Sequence, residues 1–446
     1  MYNIDKLKTI YDTVFNASKA SETEILFEEY ESSTTRFSSN IITQNTFQKN
    51  KSLTIKVINN DSIGLAETND LNDKVLLNTL NKAIQSANVQ VSDSDIITLP
   101  GPQKYKEIDN FNERAAFLSP KEKVEHIRNA TQKANNSKLN AAGIFSNGWK
   151  AHSIANSKGL FAYQKYSLVD FNLSIENSDM SGWHEGSSYK LDNIHVDNII
   201  EKAIDIAIRS KNPISLDPGD YTVILSPEAV GELLYFLAID GLNTRGIVEK
   251  ANYFHDKLGQ KVFSENISIH DDAYHELSGG LFFDFEGMPR KKVNLIEKGV
   301  FKELVLDLRL GEEYDMPSTG HSLHQPNPYG PLALNLVMEK GNKSIDEMIQ
   351  STNHGLFVNR FHYTNILDPM TLKLTGMTRD GLFLIEKGKI TKPVKNFRFT
   401  ESLISAFNEI DSIENNSTVI RAFFGGGFVV SGMKINKFHF SSKTDF

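Results

Sequence analysis

The sequence predicts an α+β protein. Stretches rich in β-branched and aromatic residues come in clusters, with helical-period segments interspersed between them. Short turn signals, among them the Glu-Lys-Gly at 297–299 and at 386–388, separate neighbouring strand candidates and point to antiparallel hairpins. A chain of 446 residues at about 150 per domain corresponds to two or three domains. With 39% hydrophobic residues there is apolar material for a sizeable core.

The elements follow in order. Residues 4–20 read as a helix, with Leu7, Ile10, Tyr11 and Val14 on one face. Residues 24–30, 34–43 and 52–58 read as strands, with Asn59-Asn60-Asp61 as a turn. A second helix spans 73–89, with Val75, Leu76, Leu80, Ala83 and Ile84 on one face. A third begins at Ser119-Pro120-Lys121-Glu122: serine suits the N-cap, proline the first turn, and glutamate closes a capping box. Strands are expected at 141–146, 152–156, 159–165 and 170–176, and a helix at 197–210. Two prolines and a glycine in residues 213–219 mark a linker. This gives an N-terminal α+β domain, 1–212, and a β-rich C-terminal α+β domain, 220–446. The latter opens with a strand at 221–225 and a helix at 227–239, and shorter helices are expected near 344–350 and 401–409. Leu-Ile-Glu-Lys-Gly occurs at both 295–299 and 384–388, and its glycine supplies the positive φ of a tight turn.

Composition excludes several functions. Lys plus Arg number 48 and Asp plus Glu 56, a net charge of −8, and no run of five or more Lys/Arg exists, which argues against direct nucleic-acid binding. The absence of cysteine removes disulfides, thiolate nucleophiles and Cys-ligated metals. The longest apolar run, 233–239, is far short of the about 20 residues of a membrane span. Residues 1–19 lack the apolar segment of a secretory signal, so a cytoplasmic protein without membrane contact is expected.

General motifs name no active site. His184-Glu185 and His275-Glu276 each lack the second histidine of a zinc-binding helix, and both read as surface or turn residues. His321 and His324 lie among Pro317, Gly320 and Pro326 and read as a loop. His270-Asp271-Asp272 reads as a strand-end turn. Gly425-Gly426-Gly427 reads as a bulge or close approach of backbone, and no phosphate loop or nucleophile elbow is present.

Taken whole, the chain resembles the TldD/PmbA peptidases, historically called modulators of DNA gyrase. The likeness rests on Thr35-Arg36-Phe37 with Asn40 and Gln44, Gly64-Leu65-Ala66-Glu67-Thr68-Asn69-Asp70 and Asn156-Ser157-Lys158-Gly159. It continues through Asp284-Phe285-Glu286-Gly287, Ser318-Thr319-Gly320 and Thr375-Gly376-Met377-Thr378-Arg379-Asp380-Gly381. The resemblance implies two related, intertwined α+β domains. It also implies a dimer in which a zinc metallopeptidase subunit pairs with a non-catalytic PmbA (TldE) companion, acting on unfolded peptides. The family's peptidase subunit carries His-Glu-x-x-x-His on a helix after a strand, and a cysteine as third ligand.

The matching segment here is Pro227-Glu228-Ala229-Val230-Gly231-Glu232. Pro227 has no donor atom, Glu232 replaces the second histidine, and a cysteine ligand is impossible. Ser226-Pro227 serves helix initiation, and Glu228 suits the positive end of the helix dipole. The expectation is therefore a companion subunit with no catalytic residue and no metal of its own, its zinc carried by a TldD-like partner. Peptide contacts are expected at Arg36, Asn40 and Gln44 and at Thr319, Gly320 and His321. Two alternatives stand beside it: a peptidase with a site rebuilt from His321, His324, Glu228 and Glu232, and a non-enzymatic peptide- or protein-binding modulator.

Overall fold

The structure, a computed structural model, describes residues 1–59, 61–90, 96–421 and 427–444. Asn60, Gly425 and Gly426, singled out above, lie outside the described residues.

In the N-terminal half, β1 (Glu22–Ser38), β2 (Ile41–Asn59), β3 (Ser62–Thr68), β4 (Asn140–Asn156), β5 (Phe161–Asn177) and β6 (Met180–Ser188) form one antiparallel sheet, ordered β3-β2-β1-β4-β5-β6. Four helices cover one face: α1 (Ile4–Ala17), α2 (Asp73–Val89), α4 (Pro120–Asn136) and α5 (Val196–Arg209), with the short α3 (Glu113–Ala116) before α4. The strands are longer than local propensity indicates: β5 alternates buried and less buried residues over most of its length, whereas the second half of β4 is buried almost throughout. The expected strand at 34–43 is instead the junction of β1 and β2. Ser39 and Asn40 both take positive φ, the backbone of a two-residue hairpin turn. The capping box predicted for α4 holds, with Ser119 and Glu122 reciprocally bonded.

Two glycines set the helix–sheet distance. A Cβ on Gly64 of β3 would collide with the Ala83 carbonyl of α2, and one on Gly182 of β6 with the Ala203 carbonyl of α5. Each edge strand thus meets a helix through a glycine facing alanines.

The second half is built on β7 (Gly219–Leu225), β8 (Ile269–Asp271), β9 (Val293–Glu297), β10 (Val300–Phe301), β11 (Leu336–Met338), β12 (His354–Asp368), β13 (Lys373–Glu386), β14 (Lys389–Pro393), β15 (Phe397–Ser402), β16 (Ile410–Ile413), β17 (Thr418–Arg421), β18 (Gly427–Val430) and β19 (Met433–Lys443). One sheet runs β10-β9-β8-β11-β18-β17, the other β12-β7-β19-β15-β13-β14. A further β12–β13 pairing closes the latter into a ring. Helix α6 (Pro227–Phe236) contributes to the largest hydrophobic core, which joins residues from both sheets. The repeated pentapeptides form matching turns in different sheets: Lys298 and Gly299, like Lys387 and Gly388, all have positive φ. Residues 213–219 are partly tied down, since Ile214 bridges Val394. Phe282 and Phe283 from the second half pack with Ile154, Leu160 and Leu26 of the first. No described helix is long and apolar enough to cross a membrane.

Candidate functional site

The segment Pro227–Glu232 begins α6 immediately after β7. Ser226 caps it by accepting from the Ala229 amide, and its hydroxyl donates to the Asn359 carbonyl. Pro227 occupies the first turn. The chain therefore enters the helix with Glu228 turned inward, its side chain 7% exposed.

Glu228 meets His184 from β6, Nδ1 to Oε1 at 2.9 Å. Burial disfavours its charge, but the hydrogen bond and charge of His184, with backbone and Ser226 donors, outweigh this and hold the carboxyl below its ordinary range. Its neighbour Glu185 goes the other way. Burial, then the Glu228 and Asp170 carboxylates, push it up to about 8 against the pull of Arg360 and Arg421. At neutral pH Glu185 is therefore mostly a carboxylic acid beside an ionised Glu228. Burial also raises Glu232, against Arg360.

Two cations complete the wall. Arg421 on β17 pairs with Asp170 at 2.7 Å. Arg360 on β12 pairs with Asp380 at 2.7 Å and lies 4.3 Å over the Trp183 ring. Glu185 and Glu228 sit between two hollows. One, about 670 Å³, includes His184, Ser226, Asn359 and Ser417; the other, about 800 Å³, includes Trp183, Glu232, Arg360 and Arg421. The groove thus offers a carboxylic acid and guanidinium groups as donors and a carboxylate as acceptor. That is the complement of a peptide backbone.

The donor set does not suit zinc. Pro227 offers no ligand atom, Glu228 is already bonded to His184, and among the described residues no three His, Cys, Asp or Glu side chains converge. The resemblance puts the family's cysteine ligand within residues 417–427, which lie partly outside the described residues.

The expected peptide contacts separate. Arg36 and Gln44 are exposed and face each other across the β1–β2 hairpin. Asn40 is engaged in the fold: its side chain bonds Asn135, the Leu139 carbonyl and the Ala141 amide. The loop at 319–321 is a correction. His321 is 0% exposed, with Nε2 3.0 Å from Asp271 and Nδ1 2.9 Å from the Thr319 hydroxyl, so burial keeps both nitrogens from a peptide. Thr319 also bonds the Leu306 amide, and Gly320 has φ +74 with the Pro289 carbonyl where a Cβ would be. Pairing with Asp271 inside the core explains His321, and Thr319 and Gly320 are held by the loop's own hydrogen bond and close backbone approach. The rebuilt site fails with it. His321 is committed to Asp271 while Glu228 is committed to His184. His324 instead stacks edge-on against Phe285.

The sequence reading missed His184, Glu185, Arg360 and Arg421. His184-Glu185 lies on a strand, and the partner of His184 is on a helix distant in sequence. Asp271, expected in a strand-end turn, is the last residue of β8 and wholly buried.

Family models for PmbA/TldA metallopeptidase domains match nearly the whole chain: domain 1 at 23–87, the central domain at 113–211 and the C-terminal domain at 218–440. The chain belongs to the PmbA/TldD metallopeptidase family. It is 26% identical over 250 residues to the metalloprotease TldD homolog of Buchnera aphidicola from Acyrthosiphon pisum, covering 55% of this chain and 49% of that protein, about half its length. It is 23% identical over 403 residues to the Haemophilus influenzae TldD homolog, covering 84% and 82%. The crystal structure of TldE from Thermococcus kodakarensis superposes with a TM-score of 0.88 at 21% identity, covering 98% of this chain and all of that one, which establishes the PmbA/TldD fold.

Proposed function

We propose that this chain is the PmbA/TldE-like companion of a TldD-type zinc metallopeptidase, gripping an extended peptide while the zinc-bearing subunit cuts it. The observation that carries the reading is the state of the degenerate helix. Pro227 cannot ligate, and the retained Glu228 is held by His184 instead of facing a metal. The groove supports the peptide part. β6 and β17 stand last in the pairing order of their sheets, and both line it. A sheet edge reads main chain in preference to side chain. The peptide contacts in this reading are Glu185, Glu228, Arg360 and Arg421, with Arg36 and Gln44 on a separate surface.

The test is co-expression with a His-Glu-x-x-x-His relative from the same source, followed by peptide cleavage assays and metal analysis of each subunit. Stable co-purification, faster cleavage than by the relative alone, and zinc only on the relative are expected. No stimulation, or zinc near one per chain on this protein by itself, overturns the proposal.

A further inference from the structure

A second site lies on the helix-covered face of the first sheet, away from the groove. Lys123 of α4 is 0% exposed, and among the described residues it forms no ion pair. Its Nζ has three close neighbours: the Ser33 carbonyl at 2.9 Å, the Asn147 Oδ1 at 2.8 Å and the Ser33 Oγ at 2.6 Å. The first two can only accept. The Asn147 amide is oriented by its own donations to the Ala115 and Ala116 carbonyls, which turns Oδ1 toward the lysine. A neutral amine has two N–H donors and one lone pair. As an ammonium Lys123 donates to all three; once neutral, its two N–H groups serve the two fixed acceptors and its lone pair accepts from the Ser33 O–H.

Ser33 also lines a cavity of about 460 Å³, shared with Asn45, Phe47, Ala116, Phe117 and Leu118. Phe47 is the register partner of Ser33, and its ring is 66% exposed, as is 57% of Phe117. The wall is apolar and nearly uncharged. Glu31, its one ionisable lining residue, is engaged with Lys49 and Trp149.

We propose that Ser33 and Lys123 are a nucleophile and its general base, accepting acyl groups from small uncharged carboxylic esters that enter this cavity. Ser33 Oγ attacks the ester carbonyl carbon as its proton passes to Lys123 Nζ. The carbon–oxygen bond to the alcohol breaks, and the alcohol leaves with the proton from Lys123. Water then attacks the acyl-serine, Lys123 taking the water proton and returning it to Ser33 as the acid departs. Such serine–lysine pairs need a desolvated amine without a counter-ion. Burial lowers Lys123 to about 8, with no charged neighbour contributing. Ionisable groups on the neighbouring elements are otherwise committed: Glu31 on β1 as above, Glu122 on α4 to Ser119, Arg114 on α3 to Asp192, and His126 on α4 against Phe145.

The probe is p-nitrophenyl butyrate with the full chain, read by p-nitrophenolate release and by peptide mapping of the butyryl adduct. We expect an adduct on Ser33, with a rate rising through a half-point near pH 8. Ser33→Ala removes it. Lys123→Arg, which keeps the donors but cannot accept a proton, slows it at least about a hundredfold, the usual contribution of a general base. Mapping and the pH profile use the unaltered protein, so they decide the matter even where a variant fails to fold. An adduct elsewhere, no adduct, or a rate flat from pH 6 to 9 overturns the proposal.

Discussion

Replacing His184 by alanine tests the assignment of Glu228 most directly. In the native protein the two side chains are 15% and 7% exposed and 2.9 Å apart. A hydrogen bond to a charged group contributes about 1.5–3 kcal/mol, whereas stranding a fully buried charge costs about 3–5 kcal/mol. The adjoining hollow of about 670 Å³ admits water to the stranded carboxylate, and the carboxylate can also escape by taking a proton. Both effects favour the lower range, so His184→Ala is expected to cost about 2–3 kcal/mol at pH 7. Urea unfolding of the native protein, His184→Ala, Glu228→Gln and the double variant measures the coupling. The sign with pH follows from the depressed carboxyl of Glu228. Its contribution is present above the ordinary value of 4.5 and is lost as pH falls through the lower folded value. A coupling at pH 7 of no more than about 0.5 kcal/mol, as in exposed helix pairs, would refute the view that His184 holds this carboxylate.

Glu185 has the opposite sign. Its folded value of about 8 exceeds the ordinary 4.5, so the folded chain loses stability as pH rises from 4.5 to 8, and Glu185→Gln should gain on the native protein over that window in melting experiments; a constant difference counts against it. His321→Ala strands Asp271 at 0% exposure and should cost about 3–5 kcal/mol while leaving peptide affinity in the groove unchanged; loss of affinity in a folded variant would return His321 to the binding surface. Arg360→Lys removes the planar group that spans Asp380 and Trp183, and a weaker dissociation constant for a bound peptide with an unaltered circular dichroism spectrum is expected. Gly320→Ala forces a side chain against the Pro289 carbonyl at φ +74 and should destabilise by at least about 1–3 kcal/mol, read by thermal melting.

Local chemistry in the sequence determined much of this protein. The Ser119-Pro120-Glu122 start of α4, the Ser226-Pro227 start of α6 and the two Lys-Gly turns depend on contacts within a few residues, so their residue types suffice. The order of motifs was enough for the family, and Pro227 with the absence of cysteine was enough to disqualify the metal helix. Where elements ended was less legible. Asn40 turns the chain inside an apparently continuous strand run, because asparagine tolerates positive φ and nothing nearby announces it. The groove depended on tertiary structure throughout. His184 acquires meaning only when β6 is laid against α6, and Glu185 only when Asp170, Glu228 and two arginines from β12 and β17 surround it. Whether a histidine is buried against an aspartate, as His321 is, or faces a groove, as His184 does, follows from which surfaces the sheets bring together. Charge and protonation depend on burial and on neighbours distant in sequence, and spacing along the chain records neither.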